Sequence, residues 1–100
     1  MLFRSRGGEF AVIVFPYQTQ LEEGAPSMVQ EKLRALGKHA GIVVIDLLPT
    51  FRRASVEPGE PLFLDMWHPS ARGHRVAAEE IFRALACARL LPGAVARCDA

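Results

Sequence analysis

The segment from Asp65 to His68 contains the residue types and spacing with the clearest chemical potential, because a carboxylate precedes an imidazole by three residues. Pro69 follows directly and restricts the backbone where the chain leaves the histidine. In hydrolytic relays an acid of this kind holds the imidazole in one tautomer, and the imidazole takes a proton from a nucleophile. The pair therefore predicts the acid and the base of such a relay, while the nucleophile must come from another part of the protein.

The same spacing also has two non-catalytic interpretations. Asp65 is a common turn residue, whose side chain can accept backbone hydrogen bonds. His68 can simply pack beside Trp67. Spacing alone does not decide between these interpretations and the catalytic one.

The other histidines offer one further alternative, a metal site made from Asp65, His68 and His74. We expect His74 instead to point inward, since it falls on the same helical stripe as Ala77. His39 lies late in a predicted helix, where a histidine interacts favourably with the helix dipole.

Two apolar runs rich in β-branched residues predict strands that are buried on both faces, as in a parallel sheet. The first run extends over residues 10 to 15 and is closed by Pro16. The second extends over residues 42 to 45 and ends at Asp46. Parallel pairing of these strands would place the residues that follow them at one edge of the sheet.

A helix is predicted between the strands, from Ser27 to Ala40. Ser27 and Gln30 have the spacing of a capping box, and Gly41 is a typical C-terminal residue. The apolar residues of one helical stripe are predicted to face the sheet, and these are Val29, Leu33, Leu36 and Ala40. Strand, helix and strand in this order predict a right-handed βαβ unit.

The segment from Leu47 to Pro61 contains Gly59 and three prolines, and this composition predicts a long connection over the surface. The adjacent residues Arg52-Arg53 are interpreted as a solvated part of that connection. In α/β proteins, loops at the carboxyl ends of parallel strands commonly carry the functional site.

A second helix is predicted from about Ala71 to Arg89, with Ser70 as its N-cap. Cys87 falls near the end of this helix and is expected to pack as a small apolar residue. Cys98 falls in the tail that follows, and a disulfide between the two cysteines is the alternative. Neither cysteine has the spacing of a metal ligand set.

Composition limits the classes of function. Half of the 100 residues are apolar, which is typical of a packed domain. The net charge of +1 argues against nucleic acid or an anionic membrane as a partner. No apolar run has the length of a membrane span, and the first residues lack the apolar core of a signal peptide. The chain is therefore expected to be soluble, with its compartment and oligomeric state undetermined.

The run from Leu62 to Glu79 closely resembles the C-terminal motif of the SGNH (GDSL-type) hydrolases. That motif consists of an apolar pair, Asp-x-x-His-Pro, a small cap residue, Gly-His or Gly-Tyr, and a helix containing Ala-Glu. The preceding order of strand, helix, strand and variable loop is also similar to the second half of this family. The resemblance covers about residues 9 to 86 and is most specific between residues 62 and 80.

The resemblance implies an α/β protein with part of a flavodoxin-like three-layer α/β/α fold, built on parallel strands and lacking its N-terminal half. Residues 1–90 would form the C-terminal portion of an SGNH hydrolase domain, with residues 91–100 as a tail. The implied activity is that of a serine esterase acting on a small acyl ester of a carbohydrate or lipid-like compound. His68 would be the general base and Asp65 its orienting partner, with no metal or organic cofactor.

The remaining catalytic groups of the family have no counterpart here. The family takes its nucleophile from a Gly-Asp-Ser motif and its oxyanion donors from a glycine and a Gly-x-Asn-Asp motif. None of the four serines is in such a motif, and the chain contains no asparagine; the serines are Ser5, Ser27, Ser55 and Ser70. Because loss of one oxyanion donor costs about 100- to 1,000-fold in rate, we predict that the 100-residue chain alone is inactive.

Two other functions stay open. The same half-fold suits a non-catalytic remnant or interaction domain, and an SGNH-like O-acetyltransferase shares the acyl-enzyme step with an esterase. The nucleotides upstream of Met1 distinguish a hydrolase fragment from a non-catalytic remnant or interaction domain. An in-frame segment that encodes Gly-Asp-Ser and Gly-x-Asn would identify a hydrolase fragment.

Overall fold

Two short apolar strands pair in parallel, with Ala11 opposite Val43 and Val14 opposite Asp46. The prediction of two parallel strands with a helix between them is therefore confirmed. The computed structural model describes residues 9–98. Its elements in chain order are β1 (Ala11–Val14), a 3-10 helix (Gln18–Leu21), α1 (Met28–Ala40), β2 (Val43–Asp46), α2 (Leu48–Ser55) and α3 (Ala71–Cys87).

Helix α1 begins and ends close to the predicted boundaries. Gly41 follows it with a left-handed φ of 71°, and its N–H is bonded to the carbonyl of Gly37. The predicted capping box is wrong, because the Ser27 hydroxyl donates to the side chain of Glu31 instead. Gln30 exchanges amide hydrogen bonds of 2.9 and 3.0 Å with Gln20 and is thereby held beneath the 3-10 helix.

The side of α1 that faces the sheet also differs from the prediction. Gln30 and Gly37 are its buried residues, whereas Val29 and Leu36 are 62% and 61% exposed. A Cβ atom at position 37 would overlap the side chain of Val44 and the carbonyl of Ile42. Since only glycine permits this approach, the contact at Gly37 decides which side of α1 lies on the sheet.

The opposite face of the sheet carries the hydrophobic core. Its buried cluster is formed by Ile45, Leu47, Phe51, Leu62, Phe63 and Ala77. Phe51 has edge or tilted ring contacts with Phe15 and Phe63, at centroid distances of 6.3 and 5.6 Å. Consecutive residues of β2 thus face α1 on one side and this core on the other.

The prediction of a surface connection over residues 47 to 61 is wrong in its first half, which forms α2. Pro49 occupies the first turn of α2, where a missing N–H costs nothing. Asp46 Oδ1 accepts the N–H of Leu48 at 3.0 Å and so stabilises the start of α2. The three prolines suggested a loop. The helical conformation is favoured instead because it buries the apolar side chains of Leu47 and Phe51 in the core.

Arg52 is likewise not a solvated loop residue. Its guanidinium donates to the carbonyl of Gln20 at 2.9 Å and to that of Ala25 at 3.1 Å. Arg52 therefore attaches the segment after the 3-10 helix to α2.

Helix α3 begins at Ala71 as predicted, with Ser70 as its N-cap. The prediction that His74 points inward is wrong: Gly73 and Ala77 face the core, and His74 lies on the exposed side. Cys87 forms a disulfide with Cys98, so the expectation that it packs as a free apolar residue is also wrong. Within residues 9–98, no helix combines the length and apolar character required to cross a bilayer.

Candidate active site

Asp65 and His68 occupy the tip of a tight loop, which we call the dyad loop and define as residues 62–70. The N–H of Leu64 donates to the carbonyl of His68 at 2.7 Å, and the N–H of Ser70 donates to the carbonyl of Leu62 at 2.8 Å. These bonds join the two arms of the loop, so the residues at its tip have a defined conformation.

The two ends of the dyad loop are buried in the core. Leu62 and Phe63 are buried, and so is Ser70. The Ser70 hydroxyl donates to the carbonyl of Pro61 at 2.6 Å and accepts the N–H of Gly73 at 3.1 Å. One side chain thus caps α3 and holds the loop against it.

Gly73 allows α3 to pack directly on the dyad loop. A Cβ atom at this position would overlap the carbonyl oxygen of Leu62. The glycine that follows the Asp-x-x-His-Pro segment is therefore required by a close approach of backbones. It positions the dyad without contacting it.

Asp65 and His68 form a direct hydrogen bond. His68 Nδ1 lies 2.9 Å from Oδ1 and 2.8 Å from Oδ2 of Asp65. Oδ1 also accepts the backbone N–H groups of Trp67 and His68, at 2.9 and 2.8 Å. Asp65 is therefore a turn residue that accepts backbone hydrogen bonds, and it also has the contact with His68 that the catalytic interpretation requires. The catalytic role itself stays a prediction.

These hydrogen bonds lower the pKa of the Asp65 carboxyl below its ordinary value; the largest contribution comes from the His68 N–H, followed by the Trp67 N–H and the His68 side chain. An ionised carboxylate only accepts hydrogen bonds. The proton in the contact therefore belongs to Nδ1 of His68, and Nε2 of the neutral ring carries the free lone pair.

The imidazole is open to solvent. The side chains of His68 and Asp65 are 70% and 55% exposed, and His68 does not point into the core. Among residues 9–98, no hydrogen bond to Nε2 of His68 is found. The ring is thus oriented on one side and accessible on the other.

The segment after β1 lies against the dyad loop. The N–H of Gln18 donates to the carbonyl of Met66 at 3.0 Å, and the Thr19 hydroxyl lies 3.8 Å from the Met66 sulfur. These contacts place the dyad near the carboxyl end of β1. Sequence reasoning missed Gln18 and Thr19, because nothing in a polar turn indicates a partner 47 or more residues away. Large apolar residues on these two segments are exposed, namely Phe15, Tyr17, Leu64, Met66 and Trp67.

The serine hydroxyls of the described residues all have structural partners. Ser27 donates to Glu31, Ser55 to the carbonyl of Arg52, and Ser70 to the carbonyl of Pro61. None of these three is hydrogen-bonded to His68, and Ser5 lies outside the described residues.

Neither Asp65 nor His68 lines the two cavities described here, although Leu62 and Phe63 of the dyad loop line the smaller one. The cavities have volumes of about 250 and 430 Å³, and Arg72 lines both. The Arg72 guanidinium donates to the carbonyls of Glu60 and Ala54 at 2.6 and 2.9 Å, so it serves to hold the segment before the dyad loop. No group of three or more His, Cys, Asp or Glu side chains suited to a metal ion occurs in residues 9–98.

Comparisons with family models, with curated proteins and with solved structures find no match to this chain. The class of site therefore rests on geometry: an exposed imidazole that an ionised carboxylate orients through Nδ1. Such a pair can move protons, and it needs a separate nucleophile for covalent catalysis.

Proposed function

We propose that this chain supplies the general base of a serine-type acyl hydrolase of the SGNH class, with His68 as the base and Asp65 as the residue that orients it. The observation that carries the proposal is the contact between Asp65 and His68 Nδ1, which leaves Nε2 accessible. The position of the pair beside the carboxyl end of a parallel strand agrees with this class of site.

The architecture also supports the proposal. Helix α1 packs on the side of β2 that carries Val44, whereas the core cluster containing α2 lies on the side of Ile45. This layering is compatible with part of an α/β/α fold. We propose that residues 1–90 belong to the C-terminal portion of such a domain and residues 91–100 to a tail, with residues 1–8, 99 and 100 lying outside the described residues.

In the proposed reaction, Nε2 of His68 takes the proton from a serine hydroxyl as the serine oxygen attacks the acyl carbonyl. Asp65 stabilises the imidazolium that forms, and the proton then passes to the leaving alcohol oxygen. His68 next takes a proton from water as the water oxygen attacks the acyl carbon of the acyl-enzyme. It then gives this proton to the serine oxygen, whose bond to the acyl carbon breaks, and the carboxylic acid is released. A small acyl ester is therefore the proposed substrate.

The serine and the oxyanion donors are proposed to come from a polypeptide segment other than residues 9–98. Such a segment would pack over the exposed dyad and remove it from open water. Electrostatic interactions in the site would become stronger as a result.

Complementation tests the proposal. A polypeptide that carries the first strand, Gly-Asp-Ser and Gly-x-Asn motifs of an SGNH hydrolase is combined with the 100-residue chain, and p-nitrophenyl acetate hydrolysis is followed. The chain by itself should show no turnover that depends on His68. The combined protein should hydrolyse the ester, and His68→Ala should lower its rate by about 100- to 10,000-fold.

Two variants complete this experiment. His74→Ala is the matched control, because His74 is also exposed but lies outside the dyad, and it should leave the rate unchanged. Asp65→Asn should also lower the rate by orders of magnitude, because a carboxamide that still accepts the backbone N–H groups turns its NH2 group toward Nδ1 of His68 and favours the tautomer with the proton on Nε2. Hydrolysis that His68→Ala leaves unchanged would refute the assignment of the base.

A further inference from the structure

The C-terminal end of α3 is connected to the tail by the disulfide between Cys87 and Cys98, whose Cα atoms are 5.5 Å apart. The two sulfur-bearing residues differ in accessibility: Cys98 is exposed, whereas Cys87 is partly buried at the end of the helix. A thiol from solution therefore reaches Cys98 more readily than Cys87.

Arg83 lies one helical turn before Cys87 and points toward it. Its Nη1 atom is 3.9 Å from the Cys87 sulfur and 3.4 Å from the carbonyl oxygen of Arg97. Glu80 holds the guanidinium through two hydrogen bonds of 2.8 and 2.7 Å, and this contact lowers the pKa of Glu80. A cation is thus fixed beside one sulfur of the disulfide.

We infer that this disulfide is a site of thiol–disulfide exchange with a low-molecular-weight thiol, in which Cys98 is attacked and Cys87 departs. The incoming thiolate forms a new sulfur–sulfur bond with Cys98 while the bond between Cys98 and Cys87 breaks. The electron pair of the broken bond remains on Cys87 as a thiolate. The product is a mixed disulfide on Cys98, and renewed attack by Cys87 expels the small thiol and restores the original bond.

The Cys87 thiolate is the leaving group of this step, and the charge of Arg83 affects how readily it leaves. A helix C-terminus disfavours an anion, so a thiolate at Cys87 would be a poor leaving group without a compensating cation. Arg83 supplies that cation and lowers the energy of the departing thiolate. Glu80 opposes it, because its carboxylate partly neutralises the guanidinium.

The direction of exchange is tested on the unaltered 100-residue chain. The oxidised protein is treated briefly with glutathione, quenched with iodoacetamide, digested and mapped by mass spectrometry. We expect glutathione on Cys98 and carbamidomethyl on Cys87 in most of the singly modified product. Glutathione mainly on Cys87, or alkylation of both cysteines before any thiol is added, would overturn the inference.

Charge variants test the role of Arg83 by the initial rate of the same exchange. Arg83→Gln should slow it about threefold, and Glu80→Gln should accelerate it, because the leaving thiolate is destabilised in the first variant and stabilised in the second. Arg75→Gln is the matched control, as Arg75 is an exposed arginine of α3 away from the disulfide. Equal rates for Arg83→Gln and the unaltered protein would also overturn the inference.

Discussion

Helix α1 and the core cluster between β2 and α3 differ in the burial of their apolar residues. In α1, Met28, Val29 and Leu36 are each more than 60% exposed, and the buried residues are a glutamine and a glycine. In the core cluster, Leu47 and Phe51 are fully buried. Leu62 and Phe63 of the dyad loop belong to this cluster. The conformation of the loop therefore depends on packing between residues that the structure describes.

The largest effect should come from truncating an aromatic core residue. Phe51→Ala should lower the free energy of unfolding by about 3 to 5 kcal/mol, because it removes a large side chain and leaves a cavity. Leu36→Ala removes an apolar side chain that is exposed on α1, and it should change the stability by no more than about 0.5 kcal/mol. Urea unfolding followed by circular dichroism measures both. An equal loss for Leu36→Ala would show that α1 is covered in solution, and the contrast between the regions would fail.

Replacement of the two N-cap serines, Ser70 at α3 and Ser27 at α1, should have effects of intermediate size on the free energy of unfolding. Ser70→Ala should cost about 1 to 2 kcal/mol, since it leaves the buried N–H of Gly73 without its acceptor. Ser27→Ala at α1 should cost less than about 0.5 kcal/mol, because the Ser27 hydroxyl contacts only a surface carboxylate. The same unfolding measurement applies, and similar costs for the two variants would contradict the proposed anchoring of the dyad loop.

The smallest expected effect is the loss of the Asp65 hydrogen bonds at acid pH. The pKa of Asp65 is lowered in the folded chain, so its bonds stabilise the dyad loop above the ordinary carboxyl pKa of about 3.9 and are lost as the pH falls through the lowered pKa. NMR titration between about pH 6 and 2 should show the Trp67 and His68 amide resonances shifting in this range. Asp65→Asn should remove the transition. A transition that persists in this variant would assign it to another group.

Much of the candidate site could be predicted from the sequence because its interactions are local. The bonds from Asp65 to Trp67 and His68 span two and three residues, and the Ser70 cap reaches Gly73 within one helical turn. Proline and serine after the histidine are local signals of the same kind. The catalytic role assigned to this geometry stays a prediction.

The errors concern contacts between distant parts of the chain. Proline content suggested a loop where burial of Leu47 and Phe51 produces α2. Helical periodicity placed His74 inward, although the approach of Gly73 to Leu62 turns it outward. Neither burial nor close backbone approach is visible in spacing along the sequence.

The sequence by itself determined the two strands, the boundaries of α1 and α3, and the proximity of Asp65 to His68, because turn, cap and strand preferences act over a few residues. Only the tertiary structure decided which side of α1 is buried, that Arg52 and Arg72 bind backbone carbonyls, and that Cys87 pairs with Cys98. It also placed the segment after β1 against the dyad loop. These features depend on which surfaces meet, and this is set by the packing of the whole chain.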